Sequence, residues 1–318
     1  MIRKITEVSL PVDEKLRIQK NRLQSPVGGR RISIVTGIHG DELEGQFVCY
    51  EVQRRIAGHP ELLRGTVDIY PALNPFGIDS VTRGIPAFDL DMNRIFPGRQ
   101  DGDMNESVAA DIIEDLTGSD LVLDIHASNI YLTEIPQIRI NELHAAQLVP
   151  LAQLANVDFI WVHGASTVLQ ATLAYSLNAR GVATLVVEMG VGMRITRSYG
   201  EQMTDGIFSL MKALGIWTGD VAPLSHQPIL SDRGDDVAFL NAPMSGVFVK
   251  SRDHGARLKQ GEEIGQIIDP LRGTLLCSVK APCDGWLFTI REYPMVDQGS
   301  LVARMLCRET LERQGRWA

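Results

Sequence analysis

From about residue 30 to residue 216, apolar runs of strand length alternate with stretches whose apolar positions recur at helical spacing. Residues 31–36, 66–72, 121–125, 158–162 and 183–187 read as strands. Several are continuous apolar runs, which suits strands covered on both faces of a mostly parallel sheet. Residues 42–57 carry Leu43, Phe47, Val48, Val52 and Ile56 along one helical face and stop at Gly58. Further helices are expected over 106–116, 142–155, 168–179 and 201–214. The alternation predicts an α/β fold, a mostly parallel mixed sheet with helices on both faces.

The pattern changes after residues 215–232, a stretch rich in Pro, Gly and Ser, beyond which short Gly-bounded strands replace helical periodicity. This places a domain boundary there, with a catalytic domain over 1–220 and a β-rich domain over 221–318, a candidate cap for the active site. Within the second part Ala242-Pro243-Met244-Ser245-Gly246 is echoed by Ala281-Pro282-Cys283-Asp284-Gly285. Two such halves suggest a small β-barrel or sandwich, and they resemble lipoyl- and biotin-carrier domains. Those carriers present a modifiable Lys at a hairpin tip. Here the corresponding stretch is Pro270-Leu271-Arg272-Gly273-Thr274, while Lys280 abuts Ala281 in a strand, so the shape is expected without the carrier chemistry.

Composition narrows the class. With 44% hydrophobic and 22% charged residues over 318 positions, the chain is neither disordered nor fibrous. Its 31 Lys plus Arg against 39 Asp plus Glu give a net charge of −8, which argues against nucleic acid or an anionic membrane as partner. A small molecule is the expected partner, and a homo-oligomer is left open. No apolar run reaches the length of a signal-peptide core or a membrane span, and Cys49, Cys277, Cys283 and Cys307 form no CxxC pair. A soluble cytoplasmic protein with four reduced thiols is expected.

The sharpest local signal is His39-Gly40-Asp41-Glu42, after one strand and before one helix. His and Glu three residues apart across such a turn can aim an imidazole and a carboxylate at one zinc ion. Alternatively, Asp41 caps the helix, Glu42 answers its dipole and His39 is a loop residue. The balance shifts with Asp124-Ile125-His126, which brings His126 to the carboxyl end of another buried strand, where open α/β sheets bind ligands. Together His39, Glu42 and His126 would form a His₂Glu zinc site with the fourth position open. Asp124 should share a strand face with His126, as an outer partner or a polar neighbour.

Glu188 ends a third apolar strand, where a carboxylate is costly unless paired or placed near a metal. As general base it would gain from a desolvated site that raises its pKa. As a structural residue it would pair with Arg194 or Arg197. A fourth segment adds positive charge: Asn93 and Arg94 form a candidate clamp for a carboxylate, and Arg83 a candidate stabiliser of an oxyanion. Solvated loop arginines are the plain alternative.

In this order, His39-Gly40-Asp41-Glu42, Asn74-Pro75, Asp91-Met92-Asn93-Arg94-Ile95-Phe96-Pro97-Gly98, Asp124-Ile125-His126 and Val187-Glu188-Met189-Gly190 resemble the succinylglutamate desuccinylase and aspartoacylase family of zinc carboxypeptidase-like deacylases. The resemblance covers roughly residues 30 to 200 and lies closer to the bacterial deacylase branch. It implies one Zn²⁺ per chain on His39, Glu42 and His126, with Glu188 as general base or acid. It also implies that Asn93 and Arg94 grip the substrate carboxylate and that Arg83 polarises the scissile carbonyl. Met92 stands where the family usually has Leu, and Tyr293 is a candidate for the family's tyrosine near the substrate. The implied activity is hydrolysis of an N-acyl amino acid amide; a zinc carboxypeptidase acting on short peptides is the alternative. A cap over the site mouth would favour the first.

Overall fold

A computed structural model describes residues 1–164, 170–232 and 236–316. The chain opens with an antiparallel hairpin, β1 (Ile2–Ser9) and β2 (Lys15–Gln24), and then enters β3 (Arg31–Thr36) and β4 (Thr66–Tyr70). Strand β2 escapes a pattern reading because its buried side includes Lys20. That lysine is tolerable there because its Nζ reaches Asp68 at 3.1 Å and Asp115 at 2.6 Å. Next come β5 (Leu121–His126), β6 (Leu132–Asn141), β7 (Phe159–His163), β8 (Thr184–Gly190), β9 (Ile229–Ser231) and β10 (Val237–Asn241). Strands β11 (Gly246–Lys250), β12 (Arg257–Leu258), β13 (Glu263–Asp269), β14 (Thr274–Lys280), β15 (Gly285–Arg291), β16 (Met295–Val296) and β17 (Leu301–Cys307) complete the set.

One 13-stranded sheet runs in the order β1-β2-β4-β3-β5-β8-β6-β15-β17-β10, with β12 on β15 and with β7 and β9 as a branch from β6. The fold is thus mixed α/β. Among the described residues parallel pairing is confined to β4-β3-β5-β8 and the β6-β7-β9 branch, so "mostly parallel" holds for the centre and not for the antiparallel flanks added by the two ends of the chain. A four-stranded sheet, β14-β13-β11-β16, encloses an apolar core with strands of the large sheet, including Phe248, Ile267, Leu287, Ile290 and Met305.

Alternation along each central strand assigns the two faces. Leu121, Leu123, Ile125, Leu185 and Val187 pack with α1 (Glu44–Gly58) and α6 (Arg197–Ala213). On the opposite face, Val35, Tyr70 and Val122 pack with α3 (Met104–Leu116) and α5 (Leu173–Asn178). The second face therefore also receives Asp124 and His126 from β5 and Glu188 from β8. Short α2 (Pro75–Ser80) follows β4, α4 (Ala145–Ala152) follows a 3₁₀ turn at Glu142–His144, and α7 (Arg308–Arg313) follows β17.

Two local readings change. The expected 168–179 helix is observed as α5, started by the Thr172 side chain, and residues 165–169 lie outside the described residues. Strand β6 also accommodates Pro136, because the missing N–H falls at a register shift between Glu134 and Gln137, where a ladder bond is already lost. Cys283 and Cys307 are paired in a disulfide, so reduced thiols remain only at Cys49 and Cys277. The pairing follows from register: Gly285 lies opposite Cys307, which brings the two cysteine Cα atoms to 6.0 Å, within bridging range.

Candidate active site

The first ligand loop leaves β3 at Gly37, whose φ of 69° is the left-handed conformation that glycine adopts without strain. Gly40 then packs so closely on the backbone of Gly77 that any side chain would overlap it. This close approach turns His39 and Glu42 inward before α1 begins. Asp41 does not cap α1; the N-cap is Leu43, without a side-chain bond. His126 closes β5, directly opposite Glu188 in the parallel β5–β8 register.

His39, Glu42 and His126 converge, each offering a ligand atom within 4.8 Å of the others. Both imidazoles turn Nδ1 toward the carboxylate: His39 Nδ1 lies 2.8 Å from Glu42 Oε1 and His126 Nδ1 lies 2.9 Å from Oε2. Behind them, His39 Nε2 meets Asp91 Oδ1 at 3.1 Å and His126 Nε2 meets Asp124 Oδ1 at 3.1 Å. The hydrogen bond to Asp91 fixes the His39 ring and the nitrogen that faces inward, while Asp124 backs His126 as an ion-pair partner. All three converging side chains are buried.

The charged groups at this point act strongly on one another. Burial alone would raise the Glu42 pKa, but the two histidines hold it far below the usual carboxylate range. Burial likewise opposes protonation of His39 and His126, yet Glu42 with Asp91 raises the first and Asp124 with Glu42 raises the second well above its ordinary value. His39 Nδ1 is also buried without a hydrogen bond, since its short approach to Glu42 lacks the angle for one. An orphaned imidazole nitrogen beside a second imidazole and a carboxylate is a donor set that fits zinc.

The arginines surround this cluster. Arg83 donates from Nη1 to Glu42 Oε1 at 2.9 Å, and its Nε lies 3.4 Å from Asp91 Oδ2. Asn93 accepts at Oδ1 from the Leu173 N–H at 2.8 Å, which fixes its amide and leaves the NH₂ group as a donor. Arg94 is held at Nη1 by the Asn93 carbonyl at 2.8 Å and keeps 43% of its side-chain surface exposed. Seven of the residues singled out in the sequence, His39, Glu42, His126, Glu188, Arg83, Asn93 and Arg94, line one cavity of about 410 Å³.

Glu188 pairs with Arg139 of β6, whose Nη1 lies 3.3 Å away, and not with Arg194 or Arg197. Burial raises the Glu188 pKa, with Arg139 and His126 opposing. Arg139, Trp161 and Tyr175 line the same cavity, joined by Phe239 of β10 and Arg304 of β17. Sequence reasoning missed these residues, along with the bridging role of Asp91. An Asp three residues before an Arg, after a known His, was the available signal for Asp91; the others are visible only once β6, β7, α5, β10 and β17 are brought around one cavity. Tyr293 packs edge-on against Tyr131 at 5.6 Å between ring centres and is absent from the described cavity wall.

A model of the succinylglutamate desuccinylase/aspartoacylase catalytic domain matches residues 28–214. The chain belongs to this family. The resemblance carried by the ordered motifs is thereby borne out, and the family is one of deacylases. An N-alpha-acetyl-L-2,4-diaminobutyric acid deacetylase from Halomonas elongata is 25% identical over 276 residues, covering 84% of this chain and 79% of that protein. A succinylglutamate desuccinylase/aspartoacylase structure from Rhodobacter sphaeroides superposes with a TM-score of 0.81 at 22% identity, over 96% of this chain and 95% of the other. The product-bound ectoine utilization protein EutE (DoeB) from Ruegeria pomeroyi also gives 0.81, at 20% identity over 95% and 93% of the two chains. At these identities the likeness is one of fold.

Proposed function

We propose that the protein is a zinc-dependent hydrolase that cleaves the amide bond of an N-acyl amino acid. The carrying observation is the convergence of His39, Glu42 and His126 in one cavity with a further carboxylate, Glu188, and the Asn93–Arg94 pair. Those three residues would hold one zinc ion, which when bound lowers the pKa of water to about 7 and polarises a carbonyl. Asn93 and Arg94 receive the carboxylate of the amino acid and orient the amide. Arg83, already turned into the cluster, faces the carbonyl oxygen and stabilises the negative charge that develops there. Glu188 accepts a proton from the attacking water and returns it to the departing amine, a role that its raised pKa suits.

The wall formed by Phe239 and Arg304 supports a small acyl amino acid over a peptide, because the C-terminal strands bound the cavity that an extended chain would have to cross. No described helix is long and apolar enough to cross a membrane.

Three measurements test the reading. Zinc content should be near one ion per chain in the wild type and in His59→Ala, a position on an exposed turn, and lost in His126→Ala. Equal content in the two variants overturns the ligand set. A panel of N-acetyl-L-amino acids, including the 2,4-diaminobutyrate derivative, should be hydrolysed in preference to dipeptides and tripeptides. Glu188→Gln should stay folded and zinc-loaded while kcat falls by about a hundred- to ten-thousandfold.

A further inference from the structure

We propose that Arg139 and Glu134 are positioning residues that hold Glu188, and that the C-terminal strands β15 and β17 lock them in place. The inference rests on Glu188 acting as the base. Arg139 lies one strand away from it, and its guanidinium is used at both ends. Nη1 lies 3.3 Å from Glu188 Oε1, while Nη2 donates to Glu134 Oε1 at 3.0 Å and Oε2 at 2.8 Å.

Glu134 is wholly buried, and beyond Arg139 its bonds come from the C-terminal strands. Thr289 Oγ1 of β15 donates to Glu134 Oε1 at 3.0 Å, and Arg304 Nη1 of β17 donates to the same atom at 2.6 Å. A carboxylate with no access to water survives only when paired and hydrogen-bonded on all sides. Its orientation is therefore over-determined, and Arg139 inherits that orientation. Trp161 adds a second restraint, since the guanidinium carbons of Arg139 and Arg304 each lie 5.8 Å from its ring centre.

The consequence is a directed base. With Oε1 of Glu188 held by Arg139, Oε2 is the oxygen that receives the proton. The chain of contacts from Arg304 and Thr289 through Glu134 and Arg139 to Glu188 makes the C-terminal strands part of the catalytic scaffold as well as a wall of the cavity. Neither Arg139 nor Glu134 need touch the substrate for this role.

The test uses the zinc-loaded, full-length chain and the most rapidly hydrolysed member of the N-acetyl-L-amino acid panel. Arg139→Met should lower kcat by about ten- to a hundredfold through misplacement of the base, with KM changed less than about threefold. Zinc per chain should not change, and Arg139→Lys should recover part of the lost rate. Placed on top of Glu188→Gln, Arg139→Met should cost less than about twofold more, because its effect runs through the group already removed. A full additional loss in the double variant, or a rise in KM at constant kcat, overturns the proposal. Should Arg139→Met not fold, Glu134→Gln enters the same cycle with the same expected result. A fully active Glu188→Gln overturns the base assignment itself, and that single variant reveals it before Arg139 is altered.

Discussion

Asp91 occupies a junction among the charged side chains of the site. One oxygen meets His39 and the backbone N–H of Asn93, and the other faces Arg83 and Arg94. Asp124 has the simpler task of orienting His126, so it offers the cleaner test of outer support: Asp124→Asn should weaken zinc affinity by about ten- to a hundredfold while leaving the fold intact, measured by competition with a chelator. Arg94→Ala should act on substrate binding. Losing a charge-assisted bond of roughly 1.5–3 kcal/mol raises KM for an N-acetyl amino acid and spares its C-terminal amide, so an equal penalty on both substrates rules out the clamp. The three ligand candidates were legible because each polar group interrupts or follows an apolar strand. Arg139 and Arg304 were not, because an arginine inside a strand reads as a solvent-facing residue until a carboxylate on a neighbouring strand explains its burial.

At the scale of elements, the loop between β3 and α1 is shaped by contact more than by its own propensity. Gly40 abuts Gly77, and Glu44 at the start of α1 accepts from the Thr196 backbone N–H and hydroxyl, both at 2.7 Å. Gly40→Ala must push α2 away and should cost about 1–3 kcal/mol, lowering the melting temperature and loosening zinc together. The N-terminal hairpin depends on charge. Burial alone would raise the Asp68 pKa, but Arg22, Lys20 and Arg31 depress it below the usual carboxylate value. A depressed folded-state pKa gives stability that is present above the unfolded value of about 3.9 and lost as pH falls through the folded one. Asp68→Asn should therefore cost about 3–5 kcal/mol at neutral pH and flatten the acid limb of a stability-against-pH curve. Buried ion pairs also explain the limits of pattern reading. Central strands announce themselves as apolar runs, whereas β2 hides Lys20 and β6 hides Glu134, Arg139 and a proline.

For the whole molecule, the pairing of Thr133 with Ile290 and of Leu132 with Arg291 joins the C-terminal strands to the sheet that carries the site. Deleting residues 221–318 should leave an insoluble remainder, since it bares the edge of β6 and strips Glu134 of two donors. Reducing the Cys283–Cys307 bond, which closes a separation of 24 residues, should cost about 3 kcal/mol by chain entropy. Activity per zinc should persist at moderate temperature, because β15 and β17 remain paired without it. Finally, β6 has β8 along one edge and β15 and β7 along the other, so its peptide groups are enclosed on both sides. In deuterated solvent its amide protons should be among the last to be replaced, and those of the outermost strand β1 among the first. The floor beneath Glu188 would then be the region that yields only when the entire chain opens, leaving slower breathing at the centre and faster fraying at the rim.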